Sequence, residues 1–347
     1  MKIEDIWYSN HPLGLVLAPL SWVFCSVASL RRWAYQVNLL KQHTLSVPVI
    51  IVGNITVGGT GKTPLVIWLA NYLKKQGYQP GIVSRGYKGQ AHRWPQQVRP
   101  DSDPHVVGDE AILLASHTDC PIAVAPQRIL AVNTLLEKYN CNVIISDDGL
   151  QHYAMPRDIE ISVLDEVRRY GNRRCLPAGP LREPIRRLKK IDFLVVKGPA
   201  LRNQFSTAMG ANNTKAVSVA EFPMHYNIGL LQHLKYPKLN QTLAEFRGKT
   251  VHAVAGIGHP NRFFNRLRDH GLKLRCHEFP DHHAYQESDV VFNDDFPVIM
   301  TEKDAVKCRQ FATKHHWYLP IEATLPDLFG EQLLRKLKRI QHGQKIT

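Results

Sequence analysis

The sequence predicts an α/β protein: a mostly parallel sheet flanked by helices, a second and smaller α/β unit, and an apolar helix at the N-terminus. Three observations carry this expectation. Short, continuously apolar runs alternate with amphipathic helix-like segments, the pattern of strands buried on both faces. The first of these runs leads into a glycine-rich loop ending Gly61-Lys62-Thr63. The chain has 347 residues, enough for two cores, and its 44% apolar and 21% charged content excludes a disordered chain.

The expected N-terminal element occupies residues 1–35. Residues 12–30 carry no charged side chain, and Arg31 and Arg32 follow at once. That length is just enough to cross a bilayer as a helix. Pro12, Gly14, Pro19 and three serines weaken such a span, whereas Trp22, Trp33 and Tyr35 suit an interface. The reading is an interfacial or shallowly inserted helix with the two arginines on anionic headgroups. A helix buried against the domain is the alternative. Lys2 is the only early basic residue and no small-residue cleavage site stands out, which argues against a secretory signal.

Residues 36–200 read as a nucleotide-binding domain. The apolar run 49–52 is a strand, and residues 65–75 form a helix after the loop. A strand, a glycine-rich loop and a helix in this order make a P-loop, in which backbone N–H groups converge on phosphate oxygens. Lys62 then reaches the β- and γ-phosphates, and the Thr63 hydroxyl ligates Mg²⁺. The usual pattern places a glycine where this chain has Thr56. Further on, residues 81–87 read as a strand ending in a polar turn, and residues 107–116 carry Gly108-Asp109-Glu110 into an apolar helix. A strand at 121–125, a helix at 128–138 and a strand at 141–146 follow, the last running into Asp147-Asp148-Gly149. Strands at 159–164 and 193–196 complete the set. Ligands of such sheets sit at the carboxyl ends of the strands, where Arg85, Asp109, Asp147 and Asp148 can meet the loop.

Residues 201–249 loosen into mixed segments and read as a connection between domains. Residues 250–347 form the smaller α/β domain: a strand at 250–257, a helix at 260–270, a strand at 272–277, then Asp281-His282-His283 and a strand at 297–301 entering Glu302-Lys303-Asp304. Gly256-x-Gly258 is too weak a pattern for a second nucleotide site.

Side-chain chemistry narrows the function. The formal charge of +14 points to an acidic partner: nucleic acid, anionic lipid or a phosphorylated substrate. Six scattered cysteines without a C-x-x-C pair argue for a reducing compartment and against a zinc ribbon. Asp147 and Asp148 close an apolar strand, as an acid holding Mg²⁺ does in such folds. Asp109 opens a helix, where an acid favours the N-terminus and is free for chemistry as well. Beside Asp281, either His282 or His283 is a candidate general base oriented by a carboxylate. Nine arginines and lysines between residues 168 and 190 face the single acid Glu183, around a shaped loop, Leu176 to Pro184. Arginine forks suit phosphate recognition. Tyr170 is the run's only aromatic and no RNA or DNA module is present, so no nucleic-acid partner is expected.

The strings Gly53-Asn54-Ile55-Thr56-Val57-Gly58-Gly59-Thr60-Gly61-Lys62-Thr63-Pro64, Ser84-Arg85-Gly86-Tyr87, Gly108-Asp109-Glu110, Asp147-Asp148-Gly149-Leu150-Gln151-His152 and Gly179-Pro180-Leu181-Arg182-Glu183-Pro184 occur in this order. Together they resemble the tetraacyldisaccharide 4'-kinase family, and Asp281-His282 and Thr301-Glu302-Lys303-Asp304 extend the resemblance to most of the chain. In that family the residue at Thr56 is a shared variant. The resemblance implies ATP- and Mg²⁺-dependent phosphorylation of the 4'-hydroxyl of a lipid disaccharide 1-phosphate. It implies Thr56, Val57, Gly58, Gly59, Thr60, Gly61, Lys62 and Thr63 for the nucleotide, and Thr63, Asp147 and Asp148 for the metal. Asp109 and His282 would form the catalytic pair, with Asn54, Arg85, Arg182 and Glu183 toward the substrate. It also implies peripheral or monotopic attachment at the cytoplasmic face of the bacterial inner membrane. A P-loop kinase of a soluble phosphorylated metabolite is the alternative, disfavoured by the uncharged N-terminus and the basic loop. A GTPase-like switch lacks its N-K-x-D motif here.

Overall fold

The computed structural model describes residues 3–9, 11–198 and 219–343. Three helices come first: α1 (Ile3–Trp7), α2 (Leu13–Val16) and α3 (Ala18–Gln36). Then β1 (Val49–Gly53), α4 (Lys62–Lys75), β2 (Pro80–Ser84), β3 (Gln96–Val98), α5 (Pro104–Val107), α6 (Asp109–His117), β4 (Ile122–Val124), α7 (Arg128–Lys138), β5 (Val143–Ser146), β6 (Ile159–Asp165) and β7 (Phe193–Lys197) build the first unit. β8 (Glu221–Ile228) follows, and the second unit contains β9 (Leu231–His233), β10 (Asn240–Gln241), β11 (Thr250–Ala255), α8 (Pro260–Asp269), β12 (Lys273–Glu278), α9 (Glu287–Val290), β13 (Val298–Thr301) and α10 (Glu302–Cys308). The chain finishes with β14 (His316–Leu319), β15 (Ile321–Thr324) and α11 (Asp327–Gln341).

Nine strands form one sheet in the order β15-β8-β7-β6-β1-β5-β2-β4-β3. Every neighbouring pair is parallel except β3–β4 and β8–β15 at the two edges. The strands β1, β2, β5 and β6 are buried along their whole length, as continuous Val and Ile runs require. The chain leaves β1 for β2 on one side and crosses from β5 to β6 on the other. The order therefore switches beside β1, and the crevice at its carboxyl end is the site such a topology provides. A six-stranded sheet, β10-β9-β14-β13-β11-β12, forms the smaller layer, with α8 packing Phe263, Phe264 and Leu267 onto it.

Two differences from the sequence reading concern where the chain divides. Residues 201–218 of the expected connection lie outside the described residues, and residues 221–228 extend the large sheet as β8, pairing with β7. This strand, Glu221-Phe222-Pro223-Met224-His225-Tyr226-Asn227-Ile228, buries Phe222 and Met224 only, so its periodicity is faint. Likewise β15 pairs with β8, and α11 places Phe329, Leu333 and Leu337 in the core of the large sheet. The final segment of the expected C-terminal domain thus completes the first layer.

The helix α3 lies on the surface. Only Ser21 and Ala34 of it are buried, while Leu20, Trp22, Val23, Val27, Leu30 and Trp33 are exposed, Trp22 by 70%. A helix packed into the core is not what the structure shows. Among the described residues no helix is long and apolar enough to cross a membrane. The segment is tied to the basic loop: Trp7 Nε1 donates to the Pro177 carbonyl (2.9 Å) and Ser21 Oγ to the Cys175 carbonyl (2.7 Å).

Candidate active site

The loop from Asn54 to Gly61 joins β1 to α4. Gly61 caps the helix at φ 94°, and a Cβ there would collide with the Tyr226 hydroxyl on β8. Gly58 also has a positive φ, 102°, yet a Cβ on Gly58 or Gly59 would meet nothing within 4 Å. The outer side of these two glycines is open, which suits close approach of a phosphate to the backbone. Thr56 is buried where the usual pattern has glycine. Its backbone is bridged to Leu181, Val57 N donates to the Pro180 carbonyl (2.9 Å), and Arg182 N donates to the Ile55 carbonyl (2.7 Å). The 176–184 loop thereby pairs with this half of the P-loop, so no left-handed residue is needed at position 56. Thr60 Oγ1 and Asn54 Oδ1 are buried without a hydrogen-bond partner among the described residues.

Asp147 and Asp148 follow β5 and face the loop. Arg128, buried at the start of α7, donates to both their carbonyls (3.2 and 2.8 Å) and shapes the turn, in which Asp148 has φ 47°. The Asp148 carboxylate meets Lys62 Nζ at 3.5 Å and Arg182 Nη1 at 3.1 Å. Burial opposes its ionisation, but Lys62 and Arg182 hold it below the usual carboxylate value. Asp147 is fully enclosed, and neither carboxylate oxygen has a partner among the described residues. Burial, then the charge of Glu110, pushes its carboxyl up to about 7. Two unpartnered buried oxygens are what a hard cation would satisfy. No group of three or more His, Cys, Asp or Glu capable of holding a metal occurs among the described residues. Two carboxylates and the Thr63 hydroxyl match Mg²⁺ instead, which keeps waters and substrate phosphates as its other ligands. The donor set fits.

The second half of the site crosses between the layers. Asp109, buried at the first position of α6, accepts from His282 Nδ1 at 2.9 Å (Oδ2) and 3.2 Å (Oδ1). Burial raises the Asp109 carboxyl, but the His282 hydrogen bond and Lys303 outweigh it and hold the group below its usual value. His282 has φ 64° and packs the edge of its ring on Tyr87, the residue ending the Ser84-Arg85-Gly86-Tyr87 turn. His283 points elsewhere: its Nε2 bonds Asp289 Oδ2 (3.0 Å), within the cap of α9. Of the two histidines it is His282 that meets Asp109. Glu110, next to Asp109, is close enough for its charge to act on Asp147.

The residues expected to meet substrate divide into two kinds. Arg85 is exposed past the end of β2, and Arg182 is partly exposed between Asp148 and Gln151. Asn54 and Glu183, also expected on the substrate side, are buried. Asn54 Nδ2 reaches back to the Gly58 carbonyl (3.4 Å), bracing the loop. Glu183 is enclosed by Gln151 (2.8 Å), the Tyr153 hydroxyl and Arg187 (3.4 Å). Sequence reasoning passed over Arg128, Lys303 and the bridge from Asp165 on β6 to Arg262 on α8 (2.5 and 3.0 Å). Lys303 lay in a quoted string without a role, whereas nothing local marks Arg128 or Arg262.

Comparison with known proteins agrees with this geometry. Residues 13–338 match the family model LpxK, described as tetraacyldisaccharide-1-P 4'-kinase. A tetraacyldisaccharide 4'-kinase of Nitrosococcus oceani is 50% identical, covering 96% of this chain and 93% of that protein. One of Methylobacillus flagellatus is 46% identical, covering 99% and 97%. Among solved structures, LpxK from Aquifex aeolicus in complex with ATP superposes with a TM-score of 0.76 at 27% identity, covering 94% of this chain and 99% of that one. The motifs, the fold and these matches agree, and the chain belongs to the tetraacyldisaccharide-1-P 4'-kinase family.

Proposed function

We propose that this protein transfers the γ-phosphoryl group of ATP to the 4'-hydroxyl of a tetraacyldisaccharide 1-phosphate in lipid A biosynthesis, while resting on a membrane through its N-terminal helices. The observation that carries the reading is the Asp109–His282 pair, closed at 2.9 Å between the two layers, one residue from the Glu110 whose charge acts on Asp147. Thr56 to Thr63 enclose the phosphates, and Lys62 supplies a fixed positive charge to them. Thr63, Asp147 and Asp148 would hold Mg²⁺, whose charge neutralises the phosphates during transfer. Oxygen O4' attacks the γ-phosphorus; the new P–O bond forms, the bond to the β-phosphate oxygen breaks, and ADP leaves with the electron pair. The hydroxyl proton passes to Asp109, which its neighbours keep ionised. A depressed carboxylate is a weak base, but in a loose phosphoryl transfer the proton is needed late, so Asp109 chiefly orients the hydroxyl.

Arg85 and Arg182 offer positive charge to the phosphorylated headgroup, with Asn54 and Glu183 bracing the loops that carry them. α3 is tied to the 175–187 loop through Ser21 and Ser29 and turns its apolar face outward, so one rigid unit serves acyl chains and headgroup. An apolar patch of this kind, with Arg31 beside it, suits an anionic leaflet, and the need for ATP favours the cytoplasmic face of the inner membrane. The test is incubation with γ-labelled ATP, purified tetraacyldisaccharide 1-phosphate and, separately, a bacterial metabolite extract. Label in the disaccharide lipid supports the reading; label confined to a soluble phosphorylated metabolite refutes it.

A further inference from the structure

Lys303 opens the first turn of α10 and extends toward the site from the second layer. Its ammonium lies 3.2 Å from His282 Nε2, 3.1 Å from Asp281 Oδ1 and 3.5 Å from Glu110 Oε1. An ammonium has three N–H donors and no acceptor, so the contact with an imidazole nitrogen has one possible sense: Lys303 donates and Nε2 accepts. The proton of His282 must then sit on Nδ1, where Asp109 accepts it at 2.9 Å. Lys303 is itself held protonated, because Glu110, Asp109 and Asp281 outweigh the effect of its burial.

We propose that Lys303 is a positioning residue for phosphoryl transfer: by donating to Nε2 it fixes His282 as the Nδ1–H tautomer and aims that hydrogen bond at Asp109. The proposal rests on the reading of Asp109 as the acceptor of the hydroxyl proton, and it adds how the pair is oriented. The groups facing the imidazole are Asp109 and Glu110 on α6, Asp281 in its own loop, Lys303 on α10, and Tyr87; Lys307, also on α10, acts on Asp109 from further off. Among them, Lys303 alone donates to Nε2. It also bonds Glu110 in the first layer and Asp281 in the second, so the ammonium is held where the layers meet.

The experiment uses full-length protein labelled with ¹⁵N-histidine, the His282 signals being those lost in His282→Gln. In the wild type at neutral pH, Nδ1 is expected in the protonated range and Nε2 in the unprotonated range. In Lys303→Met, which keeps the chain length and removes the donor, the two nitrogens should move toward the averaged shifts of a mobile ring. Wrong-tautomer substitutions in a serine triad cost about 10⁴-fold. Since Asp109 remains here, kcat should fall by roughly 10- to 100-fold with KM for ATP and lipid nearly unchanged, and Lys303→Arg should recover most of it. A wild-type ring protonated on Nε2, or on both nitrogens, overturns the proposal without any variant having to fold. Unchanged shifts and kcat in Lys303→Met overturn it as well. Failure of the underlying reading is separate: Asp109→Asn with wild-type turnover would remove the base while leaving the tautomer result standing.

Discussion

Asp165→Asn tests how the two layers are held in register. Asp165 is buried at the end of β6, and its carboxylate takes a fork from Arg262 on α8 at 2.5 and 3.0 Å, with Lys197 at 3.7 Å. Burial opposes ionisation, yet the Arg262 hydrogen bonds and the Lys197 charge bring the carboxyl down from 3.8 to about 2. At about 1.36 kcal/mol per tenfold change in acidity, this lowering gives roughly 2 kcal/mol of native-state preference for the charged form before screening. Asp165 is enclosed but Arg262 is 42% exposed, so solvent screening reduces that figure to about 1–2 kcal/mol. Asparagine preserves the shape and an acceptor oxygen but removes the charge, and urea unfolding at pH 7 should show a loss of about 1–2 kcal/mol. The sign is fixed by the depressed value: the contribution is complete above pH 3.8 and disappears as pH falls through about 2. The gap between wild type and variant should therefore be flat from roughly pH 5 to 8 and narrow below about 4. Because the same bridge aligns α8 with the first layer, kcat should also drop. A gap under ~0.5 kcal/mol at pH 7, or one that widens in acid, would refute the argument.

Lys62→Ala should reduce turnover by about 10²-fold or more, since a lost electrostatic donor costs about 2.7–4 kcal/mol in comparable sites; turnover within a few-fold of wild type would remove the P-loop lysine from the mechanism. The double variant Asp109→Ala/His282→Ala should be little worse than the poorer single variant, as for groups acting as a unit. Multiplicative losses in kcat would show two independent residues. Replacing Leu20, Trp22, Val23 and Val27 together by serine should release the protein from anionic vesicles in a flotation assay with ATP binding unchanged. Retention on the vesicles would place the attachment elsewhere. Substitution is the cleaner route than truncation, because Trp7 and Ser21 anchor the loop that carries Arg182.

The parts of the fold that a short window could reveal were those with a strong local signature. The apolar runs 49–52, 141–146 and 159–164 have little choice but to be central strands, and the helix beginning at Arg128 appears at its expected bounds. What escaped depends on distant partners. The strand β8 has a proline and two buried side chains in eight residues, and only pairing with β7 and β15 makes it a strand. The site follows the same rule. Gly61-Lys62-Thr63 stands out where a glycine-rich loop enters a helix and Asp147-Asp148 at a strand end, and His282 emerges once Asp281 is seen beside it. The burial of Glu183 is not visible locally, since a charged residue in a basic run reads as solvated until Tyr153, Gln151 and Arg187 close around it. Lys303 owes its role to three groups spread over nearly two hundred residues of chain.

The return of the C-terminus to the first sheet has a consequence for biosynthesis of the protein itself. The strand beside β8 is β15, and Phe329 of α11 contacts Phe193 and Phe222 in the core under the P-loop helix. A nascent chain whose ribosome has passed β7 therefore carries the whole P-loop yet lacks the edge strand and the helix that shield its hydrophobic face. Domains usually fold in turn from the N-terminus during translation; here the first sheet must wait for the last helix. A premature stop within α11 would leave every proposed catalytic residue present and part of the sheet's face uncovered, turning a truncated chain into a target for chaperones and proteases rather than a kinase of reduced activity.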